Sequence, residues 1–210
     1  MAYSLTEMLD EVEKQLNDTT NAIWSTTLLT RAIRAALQEV NRYQPRLTVG
    51  TLTTTANERE YSLSSLANLL TVVVVWYPYT DDEYPAEKPS WYLLTDDTLY
   101  LDVQDDPLAS QTIRVFYLAS HTINGLDSAA ASTLTKILEE LVIEGACAHA
   151  AAIKAADTIG EINTDERTPE QWREEAERRL KLWYQRLWRI RRDPFDARSG
   201  PWPVDKWESQ

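Results

Sequence analysis

Val40-Asn41-Arg42-Tyr43-Gln44-Pro45-Arg46-Leu47-Thr48-Val49 is where the character of the chain changes. Upstream, Leu28, Leu29, Ala32, Ile33, Ala36, Leu37, Val40 and Tyr43 recur at three- and four-residue steps, the period of one helix face. Pro45 stops that helix, because the residue before a proline is pushed out of helical geometry. Downstream, Leu47, Val49 and Leu52 are set among threonines, as in a strand. A chain that switches period here and switches back later predicts an α+β fold.

Toward the N-terminus, Ser4-Leu5-Thr6-Glu7 has the form of a capping box, a hydroxyl followed three residues on by a carboxylate. Leu5, Met8, Leu9, Val12 and Leu16 then give a second apolar face, and the polar run Asn17–Asn21 breaks it. Two such faces joined by a short loop predict an antiparallel helical pair. Toward the C-terminus, Arg59–Leu63, Val72–Tyr77, Trp91–Leu94, Thr98–Leu101 and Thr112–Leu118 read as further strands, with a hairpin at Thr95-Asp96-Asp97. Helical period returns after Asn124-Gly125 with Leu134, Ile137, Leu138, Leu141, Val142, Gly145, Ala148, Ala152, Ala155, Ala156 and Ile159. Thr168-Pro169-Glu170-Gln171 starts a last helix, with a hydroxyl cap and a proline in the first turn. Asp193-Pro194 ends it.

The expected organisation is a four-helix-bundle-like body with an insertion and an arm. Residues 1–45 form the N-terminal helical pair and 46–127 an inserted antiparallel β module. Residues 128–192 form a C-terminal helical pair that completes the bundle, and 193–210 form an extended Pro/Trp arm.

The 210 residues carry 21 basic and 33 acidic side chains, a net charge of −12. The acidity is uneven. Residues 1–167 hold 11 basic and 25 acidic side chains, residues 168–192 hold 8 and 4, and residues 193–210 hold 2 and 4. An acidic body is thus followed by a basic helix and a tail. The acidic body is a poor grip for nucleic-acid backbone. No apolar run of about 20 residues is present, so no membrane span is expected. Met1-Ala2-Tyr3-Ser4 lacks the form of a signal peptide, and a single cysteine cannot build a disulfide framework.

Catalytic material is thin. Cys147 and His149 lie two residues apart on a helix, so their side chains diverge by about 200° and cannot act on one another. No phosphate-binding glycine loop, zinc-ligand spacing or calcium-loop pattern occurs, and no cofactor or metal is expected. A hydrolase using His121 or His149 as base remains a formal alternative to a non-enzymatic role. Aromatic and basic residues concentrate in the last helix, where Trp183, Arg186, Trp188, Arg189, Arg191 and Arg192 are candidates for a subunit or partner interface. The same interleaving fits a nucleic-acid-binding module, which is the alternative function. In the tail, Trp202 and Trp207 stand among prolines on a segment with no helical or strand period. Each would bury about 150–250 Å² on docking. A pocket on a partner or a neighbouring subunit is the physical expectation.

Order and texture together resemble a family, the head–tail connector adaptors of tailed bacteriophages, also called head-completion or neck proteins. The likeness is carried by the helical pair closing on Val40–Arg46, the β insertion with Tyr61-Ser62-Leu63, Val72–Tyr77 and Leu99-Tyr100-Leu101, the strand Ile113–Tyr117 leading into His121, the Ala-rich helix from Glu144 to Ala156, and the charged last helix. The resemblance implies a structural virion protein, assembled in the host cytoplasm. It would form a ring, usually of twelve copies, beneath the portal protein, extending the DNA channel and receiving the tail or the next neck protein. It further implies that the C-terminal arm docks onto the portal; by position that is Phe195, Pro201, Trp202, Pro203, Val204 and Trp207. Double-stranded DNA would pass without specific binding. Asp81, Asp82, Glu83, Asp96, Asp97, Asp105 and Asp106 are candidates for acidic side chains facing it, since carboxylates repel phosphate.

Overall fold

The computed structural model describes residues 2–20, 22–80, 88–157 and 169–190. Among them lie α1 (Leu5–Leu16), α2 (Thr26–Tyr43), β1 (Arg46–Thr53), β2 (Glu60–Ser62), β3 (Leu69–Trp76), β4 (Ser90–Thr95), β5 (Thr98–Asp102), β6 (Thr112–Ala119), α3 (Lys136–Asp157) and α4 (Pro169–Arg189). The fold is α+β, with four helices and two small antiparallel sheets among the described residues. Two compact units divide the described residues: one is Pro45–Ser120, and the other combines the described residues up to Gln44 with those from His121 to Ile190.

The helical unit starts on the expected capping box. The Glu7 N–H donates to the Ser4 hydroxyl at 3.4 Å, and the Ser4 N–H donates to the Glu7 carboxylate at 2.7 Å. Asn17 ends α1 at φ 57°, a left-handed position that asparagine tolerates better than most residues. The polar link that follows is organised by one buried side chain. The Asp18 carboxylate accepts from the backbone N–H of Ala22, Ile23 and Trp24 at 2.8–2.9 Å, and Ser25 then caps α2. Central α3 packs against α1, α2 and α4. Its small residues Ala146, Cys147, Ala150 and Ala151 are buried, and Trp183 of α4 lies against it where Gly145 has no side chain. A Cβ on Gly145 would run into the indole ring of Trp183. Trp172, Ala176, Trp183 and Leu187 form the buried stripe of α4, four and seven residues apart as a helix face requires.

Two positions of the long apolar stripe depart from expectation. Ile137, in the first turn of α3, is exposed, and so is Ala156 near its end. Ile159 lies outside the described residues. Leu134 is buried but precedes the helix.

The described residues of the β unit hold six strands in two three-stranded sheets. The first has the order β1-β6-β3, with Arg46 opposite Ala119 and Thr53 opposite Thr112. The second has the order β2-β5-β4, the β4–β5 hairpin turning at Asp96-Asp97. Central strands β6 and β5 supply Ile113, Val115, Tyr117, Leu99 and Leu101 to one apolar cluster, joined by Tyr61, Leu63, Leu66, Val72 and Val75. Sheet membership depends on contacts between strands far apart in the chain, so alternation alone reveals the strands and not their division.

Candidate functional site

Within the helical unit, the point where the chain leaves and returns is pinned. The His121 N–H donates to the Asn41 side-chain oxygen at 2.6 Å, and the Asn41 amide donates back to the His121 carbonyl at 3.3 Å. The imidazole is buried, with Nδ1 3.1 Å from the Thr133 carbonyl and Nε2 3.1 Å from the Gln44 carbonyl. Both ring nitrogens thus face backbone acceptors, which is the setting of a structural staple. His149 meets the Trp183 ring edge-on at 5.3 Å, and burial pulls its pKa below the ordinary histidine value, so it is neutral at neutral pH.

Cys147 is buried against α1, its thiol 3.5 Å from the Gln15 side-chain oxygen. Burial pushes its pKa up to about 12, so almost none of it is thiolate at neutral pH. A native sample is expected to react with iodoacetamide or a colorimetric disulfide reagent at least ~100-fold more slowly than the urea-unfolded chain. Comparable rates in the two states would show that Cys147 is open to solvent. Among the described residues, no group of three or more His, Cys, Asp or Glu side chains is arranged to hold a metal ion, and no helix is long and apolar enough to cross a membrane.

The last helix divides its expected interface residues. Trp183 is 2% exposed and donates its indole N–H to the Leu141 carbonyl at 2.8 Å, so it is a core residue and not an interface one. Its surface is already spent on α3. Trp188 is 62% exposed. Arg186 is ion-paired with Glu144 of α3, and Arg178 and Arg179 share Glu175 at 2.7 and 2.6 Å. Those pairings occupy much of the basic row that a nucleic-acid ladder would need. Arg191, Arg192 and the whole arm, Phe195, Pro201, Trp202, Pro203, Val204 and Trp207 included, lie outside the described residues.

A groove runs over α3 between α1 and α4. Its upper part, about 570 Å³, lies between Gln15 and Ile23 on one side and Trp172, Glu175, Arg178 and Arg179 on the other. Its lower part, about 490 Å³, has Glu144 and Cys147 as floor and Arg179, Leu182, Arg186 and Arg189 as wall. Gln15 and Arg179 line both parts. Its arginines outnumber its carboxylates by two, against the acidic balance of the chain as a whole.

The acidic candidates fall in the β unit. Asp97 accepts from the hydroxyls of Thr95 and Thr98 at 2.6 and 3.3 Å, which hold its pKa below the usual carboxylate range. Asp106 pairs with Arg59 at 2.8 Å. Asp96 and Asp105 are exposed. Asp81, Asp82 and Glu83 lie outside the described residues.

Comparison with curated proteins finds no match. The family model described as SU10 adaptor protein matches residues 3–202, nearly the full chain, across both units and the last helix. The chain therefore belongs to the SU10 adaptor protein family, a family of phage adaptor proteins and so of structural virion components.

Proposed function

We propose that this adaptor forms a ring of twelve copies in the neck, beneath the portal, where it extends the DNA channel and receives the tail or the next neck protein. The observation that carries this reading is the family match over residues 3–202. Copies assemble in the host cytoplasm, and the arm docks on the portal through Trp202 and Trp207. The arm's composition supports that role, since two tryptophans among prolines gain most by seating in a preformed partner pocket. The acidic surface, with Asp105 and Asp106 in it, lets double-stranded DNA pass without sticking, because many copies of an acidic chain add to one repulsive field.

Among the described residues, the apolar cluster of the helical unit draws on side chains from Tyr3 to Ile190. Deleting residues 195–210 is thus expected to leave the circular-dichroism spectrum and melting temperature in place while abolishing capture by immobilised portal. A truncated chain that still binds portal like the full one would overturn the role of the arm.

A further inference from the structure

Two anomalies in the surface have complementary chemistry. One is the β4–β5 hairpin. Strand β4 lies at the edge of its sheet, and Ser90–Thr95 carries no charged residue in a chain that is 26% charged. Tyr92, Leu93 and Leu94 are three consecutive large side chains at 38–48% exposure. Natural proteins blunt such edges with lysine or a buried charge. The hairpin ends in Asp96-Asp97, so it is an apolar blade with an acidic tip.

The other anomaly is the groove between α1 and α4. Its lower wall sets Leu182, 53% exposed, among Arg179, Arg186 and Arg189. Arg179 and Arg186 already hold carboxylates of their own chain, while Arg189 forms no ion pair within the described residues. An exposed leucine flanked by arginines is what an apolar blade with an acidic tip requires. The groove belongs to the helical unit and the hairpin to the β unit, so joining them head to tail from copy to copy makes a heterologous contact. A heterologous contact repeated from copy to copy closes into a ring when its rotation allows.

We propose that the β4–β5 hairpin of one copy seats in the α1–α4 groove of the next, with the apolar edge Tyr92–Leu94 entering the groove beside Leu182 and with Asp96 and Asp97 facing Arg189 and its neighbours. The occupant is a second copy of this chain. The proposal rests on the ring reading above and names the two surfaces that would build it. The apolar residues exclude water from the contact, and the charge match fixes register and disfavours wrong partners.

The test uses the full chain in the Cys147→Ser background, assembled on portal. Asp96→Cys and Arg189→Cys are introduced together and treated with a short bismaleimide. The expected result is a covalent ladder of two, three and more copies. Asp96→Cys alone, and Leu108→Cys paired with Arg189→Cys, serve as controls and are expected to give none. A second measurement reverses charge. Arg189→Glu is expected to cut the yield of rings about tenfold, and adding Asp96→Lys to it is expected to restore them. Intact rings by electron microscopy with a ladder no stronger than the controls would overturn the hairpin–groove contact while leaving the ring standing. Absence of any ring on portal with the unmodified chain would overturn both.

Discussion

Trp183→Ala is expected to destabilise the helical unit by about 3–5 kcal/mol, the range for emptying a buried large aromatic site. The indole fills the space over Gly145, donates to the Leu141 carbonyl and packs edge-on to His149. Removing it leaves a void between α3 and α4 that the helices cannot close without shifting other buried contacts, Trp172 and Leu187 among them. The melting temperature should fall by about 10 °C for a chain of this size. Gly145→Leu attacks the same contact from the other side and should cost a comparable amount, because the added side chain must occupy the place of the ring. Urea denaturation followed by circular dichroism measures both. A loss below about 1 kcal/mol for Trp183→Ala would mean that α4 is not held by this residue.

Asp18→Ala is the second large effect, at about 3 kcal/mol, because it strands three backbone N–H groups that the carboxylate now satisfies. Burial works to raise the pKa of this group. The N–H donors of Trp24, Ile23 and Ala22, with the Thr20 hydroxyl, outweigh it and hold the pKa below the ordinary value of 3.8. The sign follows from linkage. The stabilisation is fully present above the unfolded value and fades as pH falls through the lowered native one. Asp18→Asn keeps one acceptor and loses the charge, so it should be destabilised at pH 7, and its deficit against the parent should shrink toward pH 3. Denaturation midpoints across that range give the curve, and a deficit that widens in acid would contradict the assignment.

Much of this structure was legible because its signals are local. Ser4 and Glu7 form the capping box that their spacing announced, Pro45 separates α2 from β1, and the hairpin turns at Asp96-Asp97. The buried stripe of α4 also follows from spacing, yet the same spacing allowed Trp183 to be taken for an interface residue. What assigns it to the core is Gly145, 38 positions earlier, and no window on α4 contains that residue. By sequence, Asp18 is one residue of the polar run that breaks α1. Its reach to the N–H groups four, five and six residues on has no short-range signature, because an Asx turn would bond only two residues ahead. The groove between α1 and α4 had no sequence signal, since it is made by two helices more than 150 residues apart failing to meet over a third. The arm candidates lie outside the described residues, so their role rests on composition and on the family.

The pin at Asn41 and His121 bears on how quickly the chain folds. The helical unit must bring α2 together with α3 although Pro45–Ser120 stands between them. If that intervening segment is still unfolded, closing the loop costs entropy that grows with the logarithm of its length. Once the β unit has folded and its two ends are held at Gln44 and His121, the loop left to close shrinks from several tens of residues to a few. That lowers the closure cost by roughly 2–3 kcal/mol, or about a hundredfold in the closing equilibrium. The bundle should therefore form fastest in chains whose β strands have already paired, and the rate of its appearance reports on the strands as much as on the helices.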